Sequence, residues 1–195
     1  MTDLAAEHSA VSIDLGAGDG RYVLHRAAEH PTELVLAIDA SHEAMRDASR
    51  RAARSTRKGG LPNVRFIASG VEQLPEELAG FASLVTVHFP WGSLLRAATG
   101  DEADCAAGIA RLAAPGGRLR LLLSAAERDA IGGGLVSVDP GAVVGAYREL
   151  GMVPRACRLA SADDLAAAHS TWGRRLLSSG RERRTWLIEL AAART

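Results

Sequence analysis

Seven short apolar runs recur along the chain, and segments of helical period separate most of them. The runs cover residues 11–15, 34–38, 64–68, 84–89, 119–124, 153–159 and 186–190. Residues 21–29, 41–54, 103–113 and 140–150 carry the helical pattern between them. Parallel strands can be joined only through crossovers, so this alternation dictates a mostly parallel seven-stranded α/β sheet with helices on both faces. Ser41 and Asp139 stand at helix N-caps, with Pro140 at the first helical position, and Gly151 follows a helix end. Gly132-Gly133-Gly134 marks a flexible loop. At 195 residues, with no repeat and no low-complexity linker, residues 1–195 are expected to form a single domain.

Composition then excludes several function classes. Hydrophobic residues at 47% and charged residues at 24% rule out a disordered or collagen-like chain. Cys105 and Cys157 lie far apart and make no CxxC pair, which excludes a disulfide scaffold and a zinc ribbon and suits a reducing compartment. No metal site is expected. No apolar run approaches the roughly 18–20 residues that span a bilayer. Met1-Thr2-Asp3-Leu4 opens without the apolar core of a signal peptide. A soluble, cytoplasmic, monomeric protein with no membrane partner is the expectation.

Net charge is zero, yet the charge is sorted along the chain. From Arg46 to Arg65 seven cations face one anion, Asp47; from Arg174 to Arg184 five arginines face Glu182. The rest of the chain is correspondingly acidic. A polyanion-binding face on an acidic body has this distribution, and so do two solvated helix faces.

Chemistry concentrates first at residues 11–20. Val11-Ser12-Ile13-Asp14-Leu15 runs into Gly16-Ala17-Gly18-Asp19-Gly20 and then a helix. In an open parallel sheet ligands bind beyond the carboxyl ends of the strands, where glycines admit a close backbone approach. Arg21 replaces the last glycine of the dinucleotide fingerprint. Asp14 is expected to face a cationic or hydroxyl-bearing ligand. Asp39 closes the next strand twenty residues beyond Asp19, where a carboxylate accepts ribose hydroxyls. With the Pro115-Gly116-Gly117 turn before a later strand, these features resemble the Rossmann-like, class I S-adenosylmethionine-dependent methyltransferases. They favour S-adenosylmethionine over a nicotinamide dinucleotide.

The methyl acceptor is suggested by Val87-His88-Phe89-Pro90-Trp91-Gly92-Ser93, at the carboxyl end of the fourth strand. Amino-methylating relatives place an Asn/Asp-Pro-Pro-aromatic segment there, and this chain lacks the polar first residue. An exocyclic amine needs its lone pair freed from ring conjugation. A ring nitrogen such as N1 of adenine has an in-plane lone pair, needs no general base, and yields a cationic product. Trp91 offers such a base a stacking plate and a cation–π partner. Trp172, expected in the loop before the last strand, supplies a second plate. The alternative for each tryptophan alone is a core or lid aromatic.

Residues 14–21, Lys58-Gly59-Gly60-Leu61-Pro62-Asn63-Val64, Val71-Glu72-Gln73-Leu74-Pro75, Phe89-Pro90-Trp91-Gly92-Ser93-Leu94-Leu95 and Thr171-Trp172-Gly173-Arg174-Arg175-Leu176 resemble the aminoglycoside-resistance methyltransferases. Those enzymes modify N1 of a decoding-site adenine of 16S rRNA in the 30S subunit, and the likeness runs through nearly the whole chain. It implies that Trp91 and Trp172 grip a flipped adenine, with Pro90 shaping the pocket and Ser170 or Thr171 near the exocyclic amine. It implies a cofactor pocket from Asp14, Gly16, Ala17, Gly18, Gly20, Asp39, Ala40, Val71, Glu72, His88 and Ser93. Arg50, Arg51, Arg54, Arg57, Lys58, Arg174, Arg175 and one or more of Arg181, Arg183 and Arg184 would meet rRNA phosphates. Arg46, Arg50, Arg54 and Arg57 fall on one helix face if that helix reaches Arg57, with Met45, Ala48 and Ala52 opposite.

The chain departs from the family pattern at three places. Ten residues precede Val11, where relatives carry a short β-hairpin; His88 replaces an apolar residue; and the stretch from Arg175 to Arg184 aligns only with a gap. Two rival readings remain at this level: a small-molecule N-methyltransferase, and a non-catalytic RNA- or ribosome-binding protein that keeps the fold.

Overall fold

The computed structural model describes residues 7–124, 138–178 and 184–194, without the side chains of 175–178. Gly132-Gly133-Gly134 therefore lies outside the described residues. Seven strands are β1 (Ala10–Leu15), β2 (Glu33–Asp39), β3 (Val64–Ala68), β4 (Ala82–His88), β5 (Ala113–Leu123), β6 (Met152–Leu159) and β7 (Trp186–Ala192). They form one sheet in the order β3-β2-β1-β4-β5-β7-β6. The five strands from β3 to β5 pair in parallel, and β7 runs antiparallel to both β5 and β6. From β1 the chain winds outward to β2 and β3; from β4 it winds the other way. The crevice beyond the carboxyl ends of β1 and β4 is thus the topological switch point where such sheets hold ligands.

Helices α1 (Arg21–Glu29), α2 (His42–Ala52), α3 (Gly92–Thr99), α4 (Ala103–Arg111), α5 (Pro140–Glu149), α6 (Ala162–Ala167) and α7 (Thr171–Ser178) cover the sheet. On one face Ile13, Leu36, Val85, Leu119, Leu121 and Ile188 pack beneath Ala97, Ile109 and Tyr147 from α3, α4 and α5. On the other, Val23 and Ala27 of α1 and Met45 and Ala52 of α2 cover Val35, Ala37 and Val64. A smaller cluster of Phe89, Leu122, Ala168 and Leu187 fills the space below α6 and α7. Alternation along each strand divides its residues between these faces, and burial of both faces explains the nearly continuous apolar strands.

Two elements end differently from their sequence pattern. Helix α2, capped by Ser41 accepting from the Ala44 amide at 3.2 Å, stops at Ala52 and does not reach Arg57. Its last turn is closed from outside: the Leu61 amide donates to the Ala52 carbonyl at 2.9 Å. A Cβ on Gly60 would collide with the Arg54 carbonyl oxygen, so the chain must fold back there. The Pro115-Gly116-Gly117 segment lies inside β5 rather than before it. It makes an irregularity where the register shifts from Ala82 opposite Ala113 to Leu84 opposite Arg118. Among the described residues no helix is long and apolar enough to cross a membrane.

Candidate active site

The chain leaves β1 through three glycines in the left-handed region, Gly16 (φ 74°), Gly18 (φ 54°) and Gly20 (φ 68°). A Cβ on Gly16 would stand 2.6 Å from Leu94, and one on Gly20 would stand 2.5 Å from the Ala48 Cβ. The first glycine brings the backbone against α3 and the third brings it against α2. Asp39 is tied to the same loop. Its Oδ2 accepts from the Gly18 amide at 2.8 Å and its Oδ1 from the Ser41 amide at 2.7 Å. Each oxygen retains a lone pair for a further donor such as a hydroxyl.

A cavity of about 780 Å³ opens beside this loop, within the range of small-molecule sites. Of the sequence candidates, Gly16, Ala17, Gly18, Asp39, Ala40, Val71, His88, Pro90, Trp91, Ser93, Ser170 and Trp172 line it. Asp14, Gly20 and Glu72 do not. Gly20 is a packing glycine against Ala48. Glu72 sits at the margin, where the Ser93 hydroxyl holds its carboxyl below the usual range.

The expectation that Asp14 faces the ligand is corrected by its place on β1. Strand alternation turns it to the α1 side of the sheet, where its Oδ1 accepts from the Thr86 hydroxyl at 2.6 Å. Burial, only partly offset by that bond, raises its pKa to about 7. His88 Nδ1 lies 3.9 Å from the same oxygen, and Tyr22 meets the imidazole edge-on at 4.6 Å. Burial and the cationic Arg120 and Arg26 push the His88 pKa down to about 3. The distance is that of an ion pair, but burial keeps the imidazole uncharged near neutrality, so no ion pair forms. His88 is neutral there and a weak base.

The opposite wall of the cavity grows from the end of β4. Phe89 adopts φ 52°, a left-handed conformation rare for a bulky residue. Its ring is buried, and its amide donates to the Leu122 carbonyl at 2.8 Å. That turn throws the following residues outward, so Trp91 is 76% exposed at the N-cap of α3. Trp172 belongs to the first turn of α7 rather than to a loop, and packs against the Phe89 cluster. Ser170 precedes that helix, its hydroxyl accepting from the Gly173 amide at 2.8 Å. The two tryptophans thus reach one cavity from elements more than seventy residues apart in sequence.

Arg46, Arg50, Arg51, Arg54, Arg57 and Lys58 are all exposed, and none joins an ion pair among the described residues. Arg46 and Arg50 stand on α2, whereas Arg54 and Arg57 follow it in the connection to β3. Arg174 is exposed on α7, and Arg184 is exposed ahead of β7. Arg175 is placed only by its backbone; Arg181 and Arg183 lie outside the described residues. Thr171, named with Ser170 in the sequence, also lines the cavity, and lining residues that the sequence patterns passed over include Asp19, Ser69, Gly70, Arg96 and Ser124. The signal for Ser69, Gly70 and Ser124 is their position just past the carboxyl ends of β3 and β5. Among the described residues no group of three or more His, Cys, Asp or Glu could hold a metal ion.

Residues 1–192 match the family described as NpmA, 16S rRNA (adenine(1408)-N(1))-methyltransferase. A 16S rRNA (adenine(1408)-N(1))-methyltransferase of Streptoalloteichus hindustanus is 34% identical over 184 residues, covering 90% of this chain and 84% of the relative. The crystal structure of the 16S rRNA methyltransferase KamB superposes with a TM-score of 0.88 at 30% identity, covering 98% of this chain and 92% of that one. A W203A mutant of the enzyme from Catenulisporales acidiphilia, solved with its cosubstrate SAM, gives 0.83 at 30% identity over 98% of this chain and 89% of that one. By these likenesses the chain belongs to the 16S rRNA (adenine(1408)-N(1))-methyltransferase family.

Proposed function

We propose that the protein methylates N1 of adenine 1408 of 16S rRNA, using S-adenosylmethionine as donor, and so confers aminoglycoside resistance. The 30S subunit is the substrate, and one chain acting as a monomeric, single-domain cytoplasmic enzyme carries the whole site. A single observation supports this reading best. Trp91 and Trp172 line the cavity whose other wall is the glycine loop and Asp39.

The bound cofactor supplies an electrophilic methyl group on a sulfonium centre. Gly16 and Gly18 let the backbone approach it, and Asp39 accepts hydroxyls of its ribose while anchoring the loop through the Gly18 amide. The tryptophan rings receive a base taken out of the RNA stack, replacing the stacking given up on extrusion. Ser170, with its hydroxyl oxygen fixed by the Gly173 amide, retains its O–H for the acceptor base. No side chain removes a proton. The N1 lone pair lies in the ring plane, and His88 is too weak a base to serve. The cationic product faces the Trp91 ring, where cation–π attraction offsets the charge that develops during transfer.

Primer extension on 16S rRNA from cells expressing the protein tests the reading. N1 methylation blocks Watson–Crick pairing, so reverse transcription stops at adenine 1408. Read-through at that position, with the folded protein present, excludes it.

A further inference from the structure

Helix α7 is tied to the glycine loop by a hydrogen bond from its first residue, and the segment just before it packs on α1. Thr171, its first residue, donates from Oγ1 to Asp19 Oδ2 at 2.9 Å. Two positions earlier, His169 lies against His25 of α1 with ring centroids 3.4 Å apart. His169 has φ 44°, a left-handed backbone that a residue with a side chain adopts under constraint from its surroundings. Asp19 is in turn fixed to the start of α1. Its Oδ1 accepts from the Arg21 amide at 3.3 Å, and the Arg21 guanidinium lies 3.2 Å from Oδ2. Asp19 follows Gly18, whose amide holds Asp39. The glycine loop therefore grips the ribose-side acid through one residue and the acceptor helix through the next.

We infer that the Asp19–Thr171 hydrogen bond is a positioning link, which makes the placement of the Trp172 ring follow the conformation of the cofactor loop. The inference rests on the reading of Trp172 as a base plate. Thr171 is a positioning residue, since it acts through its neighbour Trp172. The bond is exposed, so its worth to folding is small. Its leverage is geometric: Trp172 is the next residue along a helix, and a misplacement on the order of 1 Å at a reacting group lowers rates by up to about a hundredfold. With the loop ordered around the cofactor, the link holds the plate in register for an incoming base.

Thr171→Val keeps the side-chain shape and removes the donor, and Thr171→Ser retains the donor. Both are assayed by steady-state methylation of 30S subunits, with cofactor affinity followed by calorimetry. The link predicts that Thr171→Val lowers kcat about fivefold, while KM for subunits, Kd for S-adenosylmethionine and Tm stay near the parent values. Thr171→Ser returns kcat to within about twofold of the parent. The inference is overturned by a parental kcat in Thr171→Val, by an equal loss in Thr171→Ser, or by a fall in cofactor affinity matching the fall in kcat. In those cases an inactive Trp172→Ala variant leaves the base-plate reading intact. A fully active Trp172→Ala variant removes both.

Discussion

The Asp39 carboxylate accepts the Gly18 amide at 2.8 Å, so the acid closing β2 and the loop leaving β1 form a single edge of the cavity. Its other oxygen holds the Ser41 amide at the start of α2. Asp39→Ala strips acceptors from two backbone donors and from the ribose hydroxyls at once. Hydrogen bonds broken with a partner left unpaired cost roughly 1–3 kcal/mol each. Calorimetry should show S-adenosylmethionine affinity falling by at least about tenfold, and Tm should drop by a few degrees. Asp39→Asn, which keeps one acceptor for Gly18, loses less. Unchanged cofactor binding in Asp39→Ala would remove Asp39 from the site.

The tryptophan pair makes a separate prediction. Extruding a base costs a few kcal/mol, and stacking returns roughly 1–3 kcal/mol per face. One plate alone leaves the extruded state poorly populated. Trp91→Ala and Trp172→Ala should each lose most methylation, with Trp→Phe variants keeping part of it and cofactor affinity little altered. His88→Ala is the control, because a residue neutral near pH 7 with its pKa at about 3 is not the base. The stacking mechanism fails if His88→Ala abolishes transfer while both tryptophan variants stay active.

Docking is tested on the exposed cations around the end of α2. Arg50→Glu combined with Arg54→Glu should weaken 30S binding and leave calorimetric cofactor affinity unchanged, since Met45, Ala48 and Ala52 on the opposite side pack into the core. For every phosphate that the variant no longer neutralises, the dependence of log K on log salt should flatten by about 0.7–0.9. Normal docking by the charge-reversed protein, or binding indifferent to salt, would return this segment to an ordinary solvated surface.

Stability should depend on pH through Asp14. Its pKa rises from 3.8 to about 7 on folding, so the folded state holds a proton that the unfolded state releases. Stability contributed by that proton is lost as pH rises between these values and stays lost above them. His88 acts in the opposite sense: its depressed pKa removes stability as pH falls from 6.5 towards 3. Asp14 therefore dominates this pair between about pH 6 and pH 8. Over that interval the Tm of Asp14→Asn should gain about 2–4 °C on that of the parent, as roughly 1 kcal/mol of penalty disappears. Parallel Tm profiles would place the Asp14 pKa near its ordinary value.

Alternating apolar runs make the sheet legible in the sequence, because both of its faces are buried and periodicity reports burial. For the proposed acceptor side the sequence signal is the tryptophans in Phe-Pro-Trp-Gly and Thr-Trp-Gly-Arg-Arg, and the fold brings Trp91 and Trp172 to one cavity. Helices α3, α6 and α7 escape notice because six to eight residues are too few to display a period. The direction of Asp14 is hidden for another reason. Strand alternation separates it from Ile13 and Leu15, but only tertiary packing decides which side meets the cavity. The end of α2 is likewise a tertiary matter, set by Leu61 and Gly60 from the connection to β3.

The left-handed backbone at Phe89 has a consequence for inhibition. It carries the chain from a buried strand to the exposed Trp91 ring within two residues, and α3 begins directly after that ring. The Trp91 ring thus presents an aromatic face to solvent. A planar, cationic heteroaromatic compound that slides onto that face would compete with the ribosome. Because Asp39 and Gly18 would remain uncovered, it would not compete with S-adenosylmethionine, and cellular cofactor levels would not titrate it away.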